Sequence, residues 1–180
     1  AMYVGSTSNE GVQHLLDEVV QNAVDEALAG ACDRIRVSRY ADGSLAVEDN
    51  GRGIPVDDHP ELGRPACEIV LTHVHAGGKF GGGGYQVAGG LHGVGLSCVN
   101  ALSESLQLDV WRDAQHYQQR FARGNPAQDL RHLGSGEQDS GTRIHFKPDA
   151  EIFNGAMISL PVLTRRLQEQ AFLHPGLTVE

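Results

Sequence analysis

Glu18 and Asn22 stand four residues apart in a stretch whose apolar residues recur at helical spacing: Val12, Leu15, Leu16, Val19, Val20, Ala23, Val24, Ala27 and Leu28. A spacing of four stacks two side chains on one helix face. A carboxylate beside a neutral amide oxygen is a starting set for a magnesium and water site, because magnesium takes hard oxygen ligands and keeps several waters. His14, Gln21 and Asp25 are expected on the same polar face, with Glu26 at its edge. The plainer alternative is a solvated outer face, the rule for most surface helices. The charge pattern counts against it. Six acidic residues and no Lys or Arg lie from Glu10 to Asp33, so no acid there gains a basic partner one turn away.

A second candidate follows a β-like run: Val47-Glu48-Asp49-Asn50-Gly51-Arg52-Gly53-Ile54-Pro55. Asp, Asn and Gly are turn formers, so a plain strand end accounts for the pattern. A functional reading needs Asp49 buried at the strand end, where its carboxylate accepts hydrogen bonds from an amino group on a flat ligand. Gly51 and Gly53 then let that ligand approach the backbone, and Ile54 and Pro55 supply an apolar wall.

The third candidate is residues 77–95, GGKFGGGGYQVAGGLHGVG, in which ten of nineteen positions are glycine. Its second part, GGLHGVG (89–95), runs straight into an apolar helical segment, LSCVNAL. Bare backbone N–H groups at a helix start attract anions. No G-x-x-x-x-G-K-[ST] occurs, and no strand precedes the glycines as a dinucleotide fingerprint requires. A flexible linker fits the tetraglycine at 81–84 better than it fits 89–95. Lys79 and Tyr85 flank the tetraglycine, within reach of a phosphate.

The elements that must position these groups are readable. STSNE (6–10) offers helix N-caps, and Gly30 is placed to end the first helix. RIRVSRY (34–40) and SLAVEDN (44–50) read as strands joined through Asp42-Gly43, a hairpin signal. Residues 66–75 and 94–102 read as short helices, and 106–112, 116–122 and 142–147 as strands. Ser159 is expected to cap a last helix to about Leu173, with Pro161 in its first turn. The 180 residues form one domain without repeats or an internal linker. The class is α/β or α+β: two layers, a mixed and mostly antiparallel sheet with helices on one face.

Composition narrows the function. Apolar residues make up 40% and charged residues 21%, enough for a packed core. The formal charge of −9 makes the chain by itself a poor nucleic-acid binder, since phosphate contacts need clustered Lys and Arg. Cys32, Cys67 and Cys98 form no C-x-x-C pair, which fits a reducing, cytoplasmic setting. No apolar run is long enough to span a membrane and no secretory signal is visible at the N-terminus.

Three spaced elements line up: E-x-x-x-N, D-x-G-x-G and G-G-L-H-G-V-G. Together they resemble the nucleotide-binding boxes of the superfamily that joins gyrase, heat-shock chaperones, histidine kinases and MutL, the GHKL or Bergerat fold. Longer strings narrow the resemblance: NAVDEALAG (22–30), EDNGRGIP (48–55), HAGGKF (75–80) and GGLHGVGLSCVNALS (89–103). These are similar to the ATPase domain of bacterial type II topoisomerases, meaning the B subunit of gyrase or that of its relative topoisomerase IV. The resemblance runs from Met2 to the end. Chaperone and repair ATPases do not carry these longer strings, and a histidine kinase would not carry a water-activating Glu at position 18.

The resemblance implies roles. Glu18 would be the general base that activates water, with His14 orienting it. Asn22 would ligate Mg2+. Asp49 would bind the adenine amino group with help from Thr142. Gly53, Ile54 and Pro55 would line the adenine pocket, with Arg52 at its mouth and paired to Glu26. Lys79, Tyr85 and the backbone of Gly90, Leu91, His92, Gly93, Val94 and Gly95 would hold the triphosphate. Arg112 would sit at the edge, where aminocoumarin inhibitors bind. Residues 77–88 would form a mobile lid over ATP. The family's N-terminal arm would precede Ala1 and its transducer domain would follow Glu180. The implied chain is an excised, mostly monomeric ATPase subdomain with slow or no hydrolysis, dimeric only in a full enzyme that also engages DNA and the gyrase A subunit.

Overall fold

The Ser8 hydroxyl accepts a hydrogen bond from the Glu10 backbone N–H at 3.3 Å and starts α1 (Asn9–Leu28). Just past its end Gly30 takes φ +75°, a left-handed conformation that suits glycine and turns the chain into the sheet. The computed structural model describes residues 4–73 and 95–180. In chain order these hold α1, β1 (Arg34–Arg39), β2 (Leu45–Asp49), α2 (Ala66–Thr72), α3 (Gly95–Ala101), β3 (Ser103–Arg112), β4 (Gln115–Ala122) and β5 (Asn125–Pro126). Then come β6 (Arg131–Ser135), β7 (Gly141–Pro148), α4 (Ala150–Phe153), α5 (Leu160–Leu173) and β8 (Thr178–Val179).

Among the described residues the strands make one sheet in the order β5-β4-β3-β7-β2-β1-β8, with β6 also on β4. Every pairing is antiparallel except β1 with β8. The mixed sheet and its helices are the expected class. Alternation decides the two faces. Ile35, Val47, Leu106, Leu108, Phe121, Ile144 and Phe146 are buried and join Leu15, Leu16, Val19 and Val24 of α1 in one core. Their strand neighbours carry Arg36, Glu48, Asp109, His116, Gln118 and Arg143, a polar layer in which Arg143 pairs with Glu48 and Arg36 pairs with Glu180 at the chain's end. Buried Asp109 takes His116 at 2.8 Å, Gln118 at 2.9 Å and Gln107 at 2.8 Å.

The Asp42 carboxylate bends the β1–β2 link by accepting from the Ser44 N–H at 3.0 Å and its hydroxyl at 2.7 Å. The β3–β4 link places Asp113 and Ala114 at φ 50° and 57°, and the link after β4 places Arg123 and Gly124 at 47° and 85°. α5 begins with Pro161 in its first turn as expected, but Ser159 makes no side-chain cap bond. The sequence reading missed β5, β6, β8 and α4.

Candidate functional site

Glu18, Asn22 and Glu26 descend α1 at intervals of four, from exposed through half-buried to buried. The Glu18 carboxylate lies against Gly95, the first residue of α3, so closely that a Cβ there would collide with it. His14, one turn earlier, is exposed and makes no hydrogen bond to Glu18. The Asn22 carboxamide makes no hydrogen bond among the described residues.

The rest of the helix departs from the expected polar face. Asp25 is buried at 7% exposure, where it accepts from Gln21 Nε2 at 2.9 Å, and burial raises its pKa. Asp17 is half-buried and pairs with Arg166 of α5 at 2.8 Å; burial raises its carboxyl pKa and the guanidinium opposes the rise. The helix holds no Lys or Arg, yet two of its acids find an arginine from distant chain: Asp17 takes Arg166 and Glu26 takes Arg52.

β2 ends at Asp49, 4% exposed and opposite Thr142 of β7. Its Oδ1 accepts the Gly51 N–H at 2.9 Å. Loss of water drives its pKa up to about 7, with the nearby Glu26 charge adding to the rise and the Gly51 N–H opposing it. A carboxyl that sits there with so few donors is poised to accept one from a ligand.

The segment after it is held residue by residue. Glu26 Oε2 accepts the Arg52 N–H and Nε, both at 3.1 Å, and its Oε1 accepts Nη2 at 2.9 Å. Arg112 Nη1 donates to Gly53 O at 2.6 Å and Arg52 O at 3.3 Å. The Ile54 N–H donates to Thr142 Oγ1 at 3.1 Å. Gly53 requires its identity twice over. Its φ is +77°, and a Cβ would stand 2.5 Å from Trp111 O. Ile54 is 1% exposed and Pro55 is half-buried.

The structure therefore gathers Glu26, Asp49, Arg52, Gly53, Ile54, Pro55, Arg112 and Thr142 at the ends of β2, β3 and β7, with Glu18 and Asn22 further up α1. Lys79, Tyr85, Gly90, Leu91, His92, Gly93 and Val94, and the segment read as a lid, lie outside the described residues. Among the described residues no three His, Cys, Asp or Glu side chains gather as a metal site. Sequence reasoning missed Asn100, fully buried, whose Nδ2 donates to Leu71 O at 2.9 Å and ties α3 to α2. The signal was there: one amide inside the apolar run LSCVNAL. It also missed that Arg112 is engaged by backbone carbonyls, for which no local pattern exists.

The model of the histidine kinase-, DNA gyrase B- and HSP90-like ATPases matches residues 7–152. The DNA gyrase B subunit of Thermotoga maritima is 55% identical over 179 residues, 99% of this chain and 28% of its own length. That of Halalkalibacterium halodurans is 53% identical over 180 residues, again 28% of its length. The crystal structure of the 43K ATPase domain of Thermus thermophilus gyrase B in complex with an aminocoumarin superposes with a TM-score of 0.88. That domain is 44% identical, and the match covers 99% of this chain and 45% of the other. The chain thus spans under a third of the curated relatives it matches. No described helix is long and apolar enough to cross a membrane.

Proposed function

The chain belongs to the histidine kinase-, DNA gyrase B- and HSP90-like ATPases, and from that premise we propose that it is the ATP-binding domain of a bacterial DNA gyrase B subunit. One observation carries the site assignment: a buried acceptor, Asp49, at the end of a strand, beside a loop in which Arg52, Gly53 and Ile54 are each held by a side chain from another element.

Asp49 accepts the exocyclic amino group of adenine, with Thr142 beside it. The flat base lies along Gly53, Ile54 and Pro55. Further along α1, Asn22 and Glu18 address the phosphates. The half-buried Asn22 oxygen, one turn from a carboxylate, suits Mg2+, which takes hard oxygens and phosphate and keeps waters. When bound, Mg2+ neutralises charge that develops on the phosphates. Glu18 takes a proton from the attacking water, as a carboxylate within reach of one bound water can. Lys79, Tyr85 and the backbone from Gly90 to Gly95 hold the triphosphate. In the full-length protein, nucleotide binding closes a dimer gate for DNA strand passage with the gyrase A subunit. This chain contributes no strong DNA grip, given its formal charge of −9.

The test is a thermal-shift titration with a non-hydrolysable ATP analogue, with and without Mg2+, beside an aminocoumarin. A ligand that binds only the folded state raises its stability. Both ligands are expected to raise the midpoint, the nucleotide more with Mg2+. No shift with either ligand overturns the proposal.

A further inference from the structure

We infer that Arg112 is a positioning residue for the purine side of this site, acting through the loop backbone rather than through contact with nucleotide. The inference rests on the ATP-binding reading above and deepens it.

Arg52 is gripped from both sides of its own backbone. Its N–H goes to Glu26 on α1, and its C=O, with that of Gly53, goes to the guanidinium of Arg112 on β3. One residue later the Ile54 N–H is taken by Thr142 on β7. Three side chains from three elements thus fix three consecutive residues. A side-chain grip is needed because Gly53 sits at φ +77°, and a glycine has many competing conformations that the loop would otherwise visit. No strand ladder continues here to choose among them. The Gly53 carbonyl is the point of control. Its 2.6 Å bond to Arg112 Nη1 is shorter than the bonds that hold the Arg52 and Ile54 N–H groups, and it carries a charge. A Cβ on Gly53 would also lie 3.0 Å from Arg112 Cγ, so the arginine stem is a wall of the loop as well as its anchor. Arg112 Nη1 is therefore already committed to protein carbonyls before any nucleotide arrives.

This reading separates from a phosphate contact. An arginine that bound phosphate would matter more for each phosphate added. An arginine that shapes the purine floor costs every adenine ligand the same factor. The experiment measures dissociation constants of adenosine, AMP, ADP and a non-hydrolysable ATP analogue by calorimetry for the chain as it stands and for Arg112→Ala and Arg112→Lys. The expected result is a loss of roughly tenfold in Arg112→Ala, the scale of one charged hydrogen bond, equal within about twofold across all ligands that bind measurably. Arg112→Lys, which keeps one donor, should recover part of it. Amide hydrogen exchange at Ile54 in the ligand-free chain should speed up in Arg112→Ala while exchange at Leu108 in the core does not, which shows that the variant folds. A loss that grows from AMP to ATP, or unchanged Ile54 exchange, overturns the inference. Failure of the unsubstituted chain to bind any of the four would instead overturn the ATP-binding reading.

Discussion

Asp49→Asn is expected to stabilise the ligand-free protein at neutral and alkaline pH while abolishing its use. Asp49 is buried with its ionisation shifted from 3.8 to about 7, burial being the main cause. A raised acid pKa means that the fold favours the protonated form. Stability from this group is complete below about pH 4, falls as pH rises, and is gone above the folded value near 7. A shift of about three units is worth at most about 4 kcal/mol at about 1.4 kcal/mol per unit. Water entry and relaxation reduce that, and about 2 kcal/mol is a working figure. For a chain of this size it corresponds to about 4–8 °C in melting temperature. An asparagine has nearly the same shape, and its Oδ1 can keep the 2.9 Å bond from the Gly51 N–H. Melting curves of both forms from pH 4.5 to 8.5, without ligand, read the effect. The two should differ little at the acid end, diverge in favour of Asn through pH 5–7, and stay apart above it. A variant no more stable than the parent at pH 8, or a gap that does not change with pH, refutes the reasoning. The same variant should lose most nucleotide affinity, because the acceptor for the adenine amino group then competes with an amide donor.

Other outcomes follow from the same geometry. Nucleotide affinity should fall as pH drops from 8 to 6, since the base amino group binds the ionised Asp49; titration calorimetry at both values checks this, and a flat profile removes the ionised form as the binder. Glu18→Ala, placed in a full-length gyrase B, should keep nucleotide binding and lose turnover; substantial remaining hydrolysis removes Glu18 as the base. Ala114→Gly should raise stability by about 1 kcal/mol, because Ala114 sits at φ 57° where a Cβ is disfavoured; a lower melting temperature would count against the strain.

Much of this was written locally. α1 shows its start, its apolar stripe and its stop within thirty residues, because helical periodicity and caps are short-range. Asp49 could be placed at a strand end because a β-like run meets Asn-Gly. What stayed hidden was decided at a distance. Asp25 was placed on the polar face from its angle on the helix, yet the fold around it buries the carboxyl. Asp17 finds its cation 149 residues away, on α5. Strands as short as β5 and β8, two residues each, have no period to read. The Arg112 grip on two carbonyls needs β3 and the loop after β2 to meet, and only the sheet order brings them together.

One helix carries side chains for both ends of the site, and that makes it a ruler. From Glu18 to Glu26 is eight residues, about 12 Å along a helix axis. Along that length the stripe turns by about 80°, which carries it from the surface into the protein. Adding a single residue between the two would rotate one end against the other by about 100° and lengthen the interval by about 1.5 Å. Glu26 would leave Arg52, or Glu18 would leave Gly95. This stretch of chain can therefore tolerate changes of side chain far more readily than a change of length. A variant that inserts or deletes one residue there loses the match between its two ends even if the helix itself remains intact.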